Sequence, residues 1–280
     1  MPAIGDDAAV LPDGLLASVD TLVVGVDWRD DWSSPADVGW KSIMVNASDI
    51  AAMGGRSRWF LVSLVVADGF DVDAFYDGAI EACEALGAEV VGGDLSSGGQ
   101  TVISVTALGH ADEPILRSGA QAGDGVWVSG PLGAAARDLR VLRATEPIDF
   151  GRTADPRPSA MRPKSAGGPG SGGGAAHARP TAYMGPPPVG ATALIDVSDG
   201  LVADCAHIAR SSGVQIALES VPLADGATLD EALHGGDDYV LVACAPDAID
   251  GWTRIGTCVA GSGVTVDGSL VEPRGWEHQL

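Results

Sequence analysis

Apolar positions along the chain alternate between continuous runs and helical spacing. "GLLASVDTLVVGVDW", residues 14–28, is dense in Leu and Val and predicts a strand. "SSPADVGWKSIMVNASDIAAMGG", residues 33–55, predicts a helix. Ser34 is its N-cap, Pro35 takes the first helical position and Gly54-Gly55 closes it. On that helix Asn46 and Asp49 lie three apart and share a face. "WFLVSLVV" predicts a buried strand, and "DVDAFYDGAIEACEALG" an amphipathic helix with Phe75, Ala79, Cys83 and Leu86 on one side and Gly87 as its stop. "AEVVGGD" and "QTVISVTALG" are two further strands. The pattern restarts around Ala111–Gly123. "GVWVSGPLGAAARDL" then reads as a strand, a Gly-Pro turn and a helix of small residues. After a long break come the strand "TALIDV", the helix "LVADCAHIARSSG", the strand "VQIALE" and a short helix near Asp230. The strands "YVLVACA" and "RIGTCVA" follow, and then a hairpin through "GVTVDGSLVE" that turns at Asp267-Gly268. Strands and helices mix throughout, which predicts an α+β protein of two domains, residues 1–111 and 112–280.

Composition changes this picture in one place. Residues 144–190 are rich in Gly, Pro, Ala and Ser and nearly free of large apolar side chains, so about 150–178 reads as a flexible insertion. The remaining sequence supports a sizeable core, with 46% apolar residues in a chain of 280. Charge excludes more. There are 38 acidic against 16 basic residues, a formal net charge of −22, which repels nucleic acid and anionic membranes. Cys83, Cys205, Cys244 and Cys258 show no C-x-x-C spacing and read as reduced core residues of a cytoplasmic protein. No run is long enough to span a membrane, and no signal peptide is evident. The first motif begins at Gly5, so no leader or extra domain is expected before it.

The acids are not scattered evenly. "GDDAAV", "SVDT", "NASD", "GGD", "IDVSD" and "GGDDY" each set aspartate within two positions of Gly, Ser or Asn, mostly where an apolar run ends. A single Asp-Gly turn needs no special explanation. Six similar sites point to a hard cation, and Mg2+ is the one that bridges one or two carboxylates to substrate phosphates. Asp6, Asp20, Asp49, Asp94, Asp196 and Asp199 fit that placement. "VVGGDLSSGGQ" and "SGPLGAAA" offer backbone N–H groups to phosphate, although composition alone favours ordinary turns there. No P-loop or G-x-S-x-G elbow occurs, no G-x-G-x-x-G follows a strand in a dinucleotide context, and the five histidines form no i, i+4 pair. His207 falls mid-helix and reads as a packing residue.

In their order along the chain, "GDDAAV", "DTLVVGV", "GWKSIMVNASDIAAMGG", "GGDLSSGG", "LRSGAQAGD", "IDVSDGLVAD" and "GGDDY" resemble the thiamine-monophosphate kinase family of the aminoimidazole ribonucleotide synthetase-like superfamily. "NASDIAAMGG" with "IDVSDGL" is specific to the superfamily, while "GDDAAV", "GGDDY" and the final "GWEHQ" favour this branch. The resemblance implies ATP- and Mg2+-dependent phosphorylation of thiamine monophosphate to thiamine diphosphate by direct in-line transfer. It also implies a homodimer whose N-terminal sheets pair into a barrel. Carried over by position, Asp6, Ser18, Val19, Asp20, Asp49, Asp94, Asp196 and Asp199 are metal-site residues. Gly93, Asp94, Arg117 and Ser198 contact the nucleotide. Asp27, Asp237 and Trp276 contact the acceptor. No residue is assigned as acid or base.

This chain departs from the family pattern at several points. Asp27-Trp28 stands where the family commonly has His-Phe, Val240 where it usually has Glu, and the stretch before "GDDAAV" is shorter. The Gly/Pro-rich insertion has no recognised counterpart. Two alternatives stay open on these residues. One is a superfamily enzyme that uses ATP on a different acceptor, and the other is a non-catalytic ATP-binding relative.

Overall fold

The computed structural model describes residues 5–144 and 175–274. The strands β1 (Ala9–Val10), β2 (Leu15–Val23), β3 (Arg56–Val66), β4 (Glu89–Ser97) and β5 (Val102–His110) form one sheet, in the order β1-β2-β5-β3-β4. β3 and β4 run parallel and the other neighbours antiparallel. β3 alternates along its length, with Phe60, Val62 and Leu64 inside and Trp59, Leu61 and Val65 exposed. Among the described residues, only one face of this sheet is covered.

The covering helices are α1 (Pro35–Ala52) and α2 (Val72–Leu86). α1 starts where the sequence predicts, on a reciprocal cap. The Asp37 N–H donates to Ser34 Oγ, and the Ser34 N–H donates to Asp37 Oδ2. The two helices cross closely because each has a glycine at the contact. A Cβ on Gly39 would lie 2.0 Å from the Phe75 carbonyl oxygen, and one on Gly78 would lie 1.8 Å from that of Ala36. Ile43, Met44, Phe60 and Phe75 are fully buried in this layer. Each such side chain contributes roughly 1.5–3 kcal/mol relative to an exposed one.

The second sheet holds β6 (Gly125–Val128), β7 (Ala193–Asp196), β8 (Gln215–Leu218), β9 (Leu241–Ala245), β10 (Thr253–Val259), β11 (Gly263–Val266) and β12 (Ser269–Val271). Their order is β12-β11-β8-β10-β6-β9-β7. Asp267 and Gly268 both have positive φ, which is the two-residue hairpin turn that Asp-Gly predicts. α3 (Ala134–Ala144), α5 (Leu201–Ser212) and α6 (Leu229–His234) accompany this sheet, with their own core around Val126, Ile195, Leu201 and Val242. A third cluster joins Ala51 and Ala52 at the end of α1 to Leu194, Leu241 and Ala243 on β7 and β9. α1 is therefore shared by both sheets, and its polar positions face the seam. Neither sheet is a closed barrel. No helix among the described residues is long and apolar enough to cross a membrane.

Two expectations change. The Gly-rich stretch after Val91 is not a turn, because β4 continues through it to Ser97 as an edge strand. The expected flexible insertion at about 150–178 ends too late. Residues 175–178 form a one-turn helix, α4 (Ala175–Ala178). The Ala176 N–H donates to Asp138, and Arg179 next to the helix pairs with Asp37 and Glu81. The rest of the insertion lies outside the described residues.

Candidate active site at the seam of two sheets

Three carboxylates meet where α1 approaches the end of β7. Asp7 comes from the irregular segment before β1, Asp49 from α1 and Asp196 from the last position of β7. One oxygen of each lies within 4.8 Å of the others. Asp196 is fully enclosed. Burial pushes its carboxyl up from 3.8 to about 8, and the charge of Asp7 adds to that, while the Ser48 hydroxyl donates to it at 2.5 Å. Burial raises Asp49 well above the usual range too, reinforced by Asp196 and Asp20; Ser18 Oγ donates to its Oδ2. Burial also raises Asp7, although Arg117 opposes the shift. Like charges so close and so dry are costly unless a cation joins them. The donors are all hard oxygens, the set that suits Mg2+.

The surroundings hold this cluster in place. Asn46, one turn before Asp49, accepts from the Asp20 N–H at 3.0 Å and donates to the Ser42 carbonyl. Arg117 places a fork on Asp7, with contacts of 2.5 and 3.3 Å, and donates to the Gly5 carbonyl. After β7 the chain turns through Ser198-Asp199-Gly200. Buried Asp204 accepts from the N–H groups of Asp199 and Gly200 and so fixes that turn. "GGDDY" lies alongside it. The Asp237 N–H donates to the Ser198 carbonyl and the Tyr239 N–H to that of Val197, so two motifs far apart in sequence are joined. Asp237 and Tyr239 both have positive φ, a strained conformation for residues other than glycine. The Lys41 ammonium lies 2.7 Å from Asp237. Burial alone would raise the Asp237 carboxyl, but Lys41 and His177 outweigh it and hold it far below the usual range.

Residues 5–111 match the family model described as AIR synthase related protein, N-terminal domain. The chain is 36% identical to the thiamine-monophosphate kinase of Aquifex aeolicus (strain VF5), over 98% of this chain and 92% of that protein. It is 41% identical to that of Mycobacterium tuberculosis (strain ATCC 25618 / H37Rv), over 94% and 81%. The chain belongs to the thiamine-monophosphate kinase family. Its structure is similar to that of AaThiL complexed with AMPPCP and TMP, with a TM-score of 0.84 at 35% identity, covering 100% of this chain and 93% of that one. A HypE-HypF complex shares the fold at a TM-score of 0.70 and 17% identity.

Within this member of the kinase family, the residues nominated from sequence fall into three groups. Ser18, Asp49 and Asp196 are at the cluster, with Asp20 held next to it through Asn46. Asp6 is adjacent, but its carboxylate accepts from the Arg117 N–H at 2.7 Å, and its neighbour Asp7 enters the cluster instead. Nothing in "GDDAAV" tells which Asp turns inward. Val19 points its side chain to the exposed sheet face, leaving only its backbone for the site. Ser198, Asp199 and Asp237 border the seam. Asp27 accepts the Val23 N–H at 2.7 Å and turns its carbonyl toward Lys41. Gly93 and Asp94 lie on β4, away from the cluster, and Trp276 lies outside the described residues. At Gly93 φ is +153°, and a Cβ would sit 1.7 Å from the Val62 carbonyl oxygen. Asp204, Lys41 and Ser48 were not nominated from sequence. At the helix start of "SGPLGAAA" the Gly133 and Ala134 amides are taken by the Asp238 carboxylate.

The raised carboxyls predict a pH effect. A carboxyl raised in the folded state holds its proton there while the unfolded chain loses it. Stability linked to Asp196 is therefore greatest below about pH 4 and is lost as pH rises toward about 8. In Mg2+-free buffer the wild-type chain should melt lower at about pH 8 than at about pH 5. Asp196→Asn should narrow that gap, and thermal melts of the two proteins at both pH values measure it.

Proposed function

We propose that this chain transfers the terminal phosphoryl group of ATP to thiamine monophosphate, giving thiamine diphosphate, with Mg2+ as its metal. The observation that carries this reading is the convergence of Asp7, Asp49 and Asp196 in a family whose members are named for that reaction. The acceptor is itself a phosphate, ionised at neutral pH, so no side chain has to remove a proton from it. The work left to the protein is positioning and neutralisation of charge. Asp7, Asp49 and Asp196 would hold Mg2+, with Ser18, Asp20 and Asp199 at its margin. When bound, Mg2+ supplies positive charge to the phosphoryl oxygens. Arg117 fixes Asp7 and presents a cation beside the metal carboxylates, and Ser198 with its fixed turn would meet the nucleotide. Asp237 offers a carboxylate to the cationic thiazolium. We read residues 1–111 as the metal, ATP and dimerisation domain of a cytoplasmic enzyme, and 112–280 as its C-terminal domain. Calorimetry with a non-hydrolysable ATP analogue tests the nucleotide half. Binding should require Mg2+, and equal binding in EDTA would contradict the metal assignment.

The dimer is part of the same proposal. Asp94 pairs in register with exposed Ser63, whereas Asp20 pairs with buried Val105, so these two acids occupy opposite faces of the sheet. Three strand spacings also separate β2 from β4, about 14 Å. Asp94 cannot join the cluster of its own chain and would serve that of a second copy. Trp59, Leu61 and Val65 on β3, with Val19 across the sheet, form an exposed apolar face suited to a matching sheet. Trp59→Glu should yield a monomer by sedimentation and lose most activity, because each site would then lack Asp94.

A further inference from the structure

The acceptor-side carboxylate of Asp237 is already held by three donors. Lys41 Nζ lies 2.7 Å from Oδ2, Tyr239 donates its hydroxyl to Oδ1 at 2.8 Å, and His177 Nδ1 lies 3.4 Å from Oδ2. The three are not equally fixed. Lys41 belongs to an 18-residue helix and its side chain is only 5% exposed. Tyr239 is buried and its backbone is bonded to Val197. His177 makes the longest of the three contacts and sits on α4, a single turn of four residues. Its ring otherwise meets Trp32 edge-on, with 6.2 Å between centroids. A cationic acceptor group that approaches Asp237, whose side chain is 30% exposed, competes with these donors for its oxygens, and His177 makes the weakest hold of the three.

We infer that His177 is a specificity-determining placeholder: its imidazole occupies the position on Asp237 that the cationic part of the acceptor takes, and it swings aside when the acceptor binds. Lys41 is then a positioning residue. It stays with Asp237 in both states and keeps the carboxylate ionised and aimed. An acceptor that offers no positive charge or donor there cannot replace the imidazole, so the contact selects against phosphate monoesters of uncharged alcohols. This inference rests on the thiamine monophosphate reading above.

The test compares the wild-type chain, His177→Ala, Lys41→Met and Lys41→Arg, with thiamine monophosphate and ATP varied in turn. Removing the placeholder should lower KM for thiamine monophosphate about threefold to tenfold, the range covered by one hydrogen bond made in competition with another. KM for ATP should not move. Lys41→Met should raise the acceptor KM by more than about tenfold, again without changing that for ATP, and Lys41→Arg should recover part of the loss. An unchanged or raised acceptor KM in His177→Ala, in an active wild type, overturns the placeholder and leaves the kinase reading standing. Calorimetry with thiamine monophosphate covers an inactive wild type. Binding by His177→Ala alone would support the placeholder, and binding by neither protein would overturn both readings.

Discussion

Asp49→Asn is expected to lower turnover at least about 100-fold, the equivalent of roughly 3 kcal/mol at tenfold per about 1.4 kcal/mol. The same substitution should leave the melting temperature of the Mg2+-free chain unchanged or higher. The two effects have one cause. Asp49 is buried beside Asp196 and Asp20, and its carboxyl is raised well above the usual range. Without a cation that charge is a cost to the fold, and asparagine removes it while keeping a partner for Ser18. With a cation the charge is what binds, and asparagine cannot replace it. Steady-state kinetics and thermal melts in EDTA read the two effects separately. A variant that loses activity only because it unfolds would show a large fall in melting temperature, and normal turnover would remove Asp49 from the metal site.

The second large effect concerns Asp94. Asp94→Asn should be as inactive as Asp49→Asn, yet a refolded equimolar mixture of the two should recover about one quarter of wild-type activity. Half of the dimers in such a mixture are hybrids, and each hybrid has one intact site, made from the Asp49 cluster of one copy and Asp94 of the other. This follows from the placement of Asp94 on the exposed face of β4, three strands from β2. Activity in the mixture no higher than in either parent would mean that Asp94 does not act across the dimer. Analytical ultracentrifugation of the mixture checks that hybrids have formed.

The elements were legible where local chemistry settles them. Ser34, Pro35 and Asp37 specify the start of α1, Gly54-Gly55 its end and Asp267-Gly268 the last turn. These are decided within four residues and survive any tertiary context. The site was legible as a set of motifs but not as a geometry. Asp6 and Asp7 are neighbours in an irregular segment, where no period says which side chain turns inward, and the outcome depends on the fork of Arg117 more than a hundred residues away. Asp204 looks like an ordinary acid in the first turn of a helix, and only the bent chain shows it gathering the amides of Asp199 and Gly200. Lys41 and Asp237 are 196 positions apart, so their ion pair leaves no mark on either local sequence. His177 comes from a stretch whose composition suggests nothing but a linker. The Gly-rich run after Val91 misleads in the opposite direction. Its glycines read as a turn, but at Gly93 the glycine serves a close approach of β4 to β3.

The most direct test is turnover. The purified chain is incubated with ATP, Mg2+ and thiamine monophosphate, and thiamine diphosphate is quantified by chromatography. The account predicts product that disappears in EDTA and in Asp49→Asn. Absence of product from the wild-type chain, with the ATP analogue still bound in a Mg2+-dependent way, would contradict the acceptor assignment. Product that persists undiminished in EDTA would contradict the carboxylate cluster as the seat of the reaction.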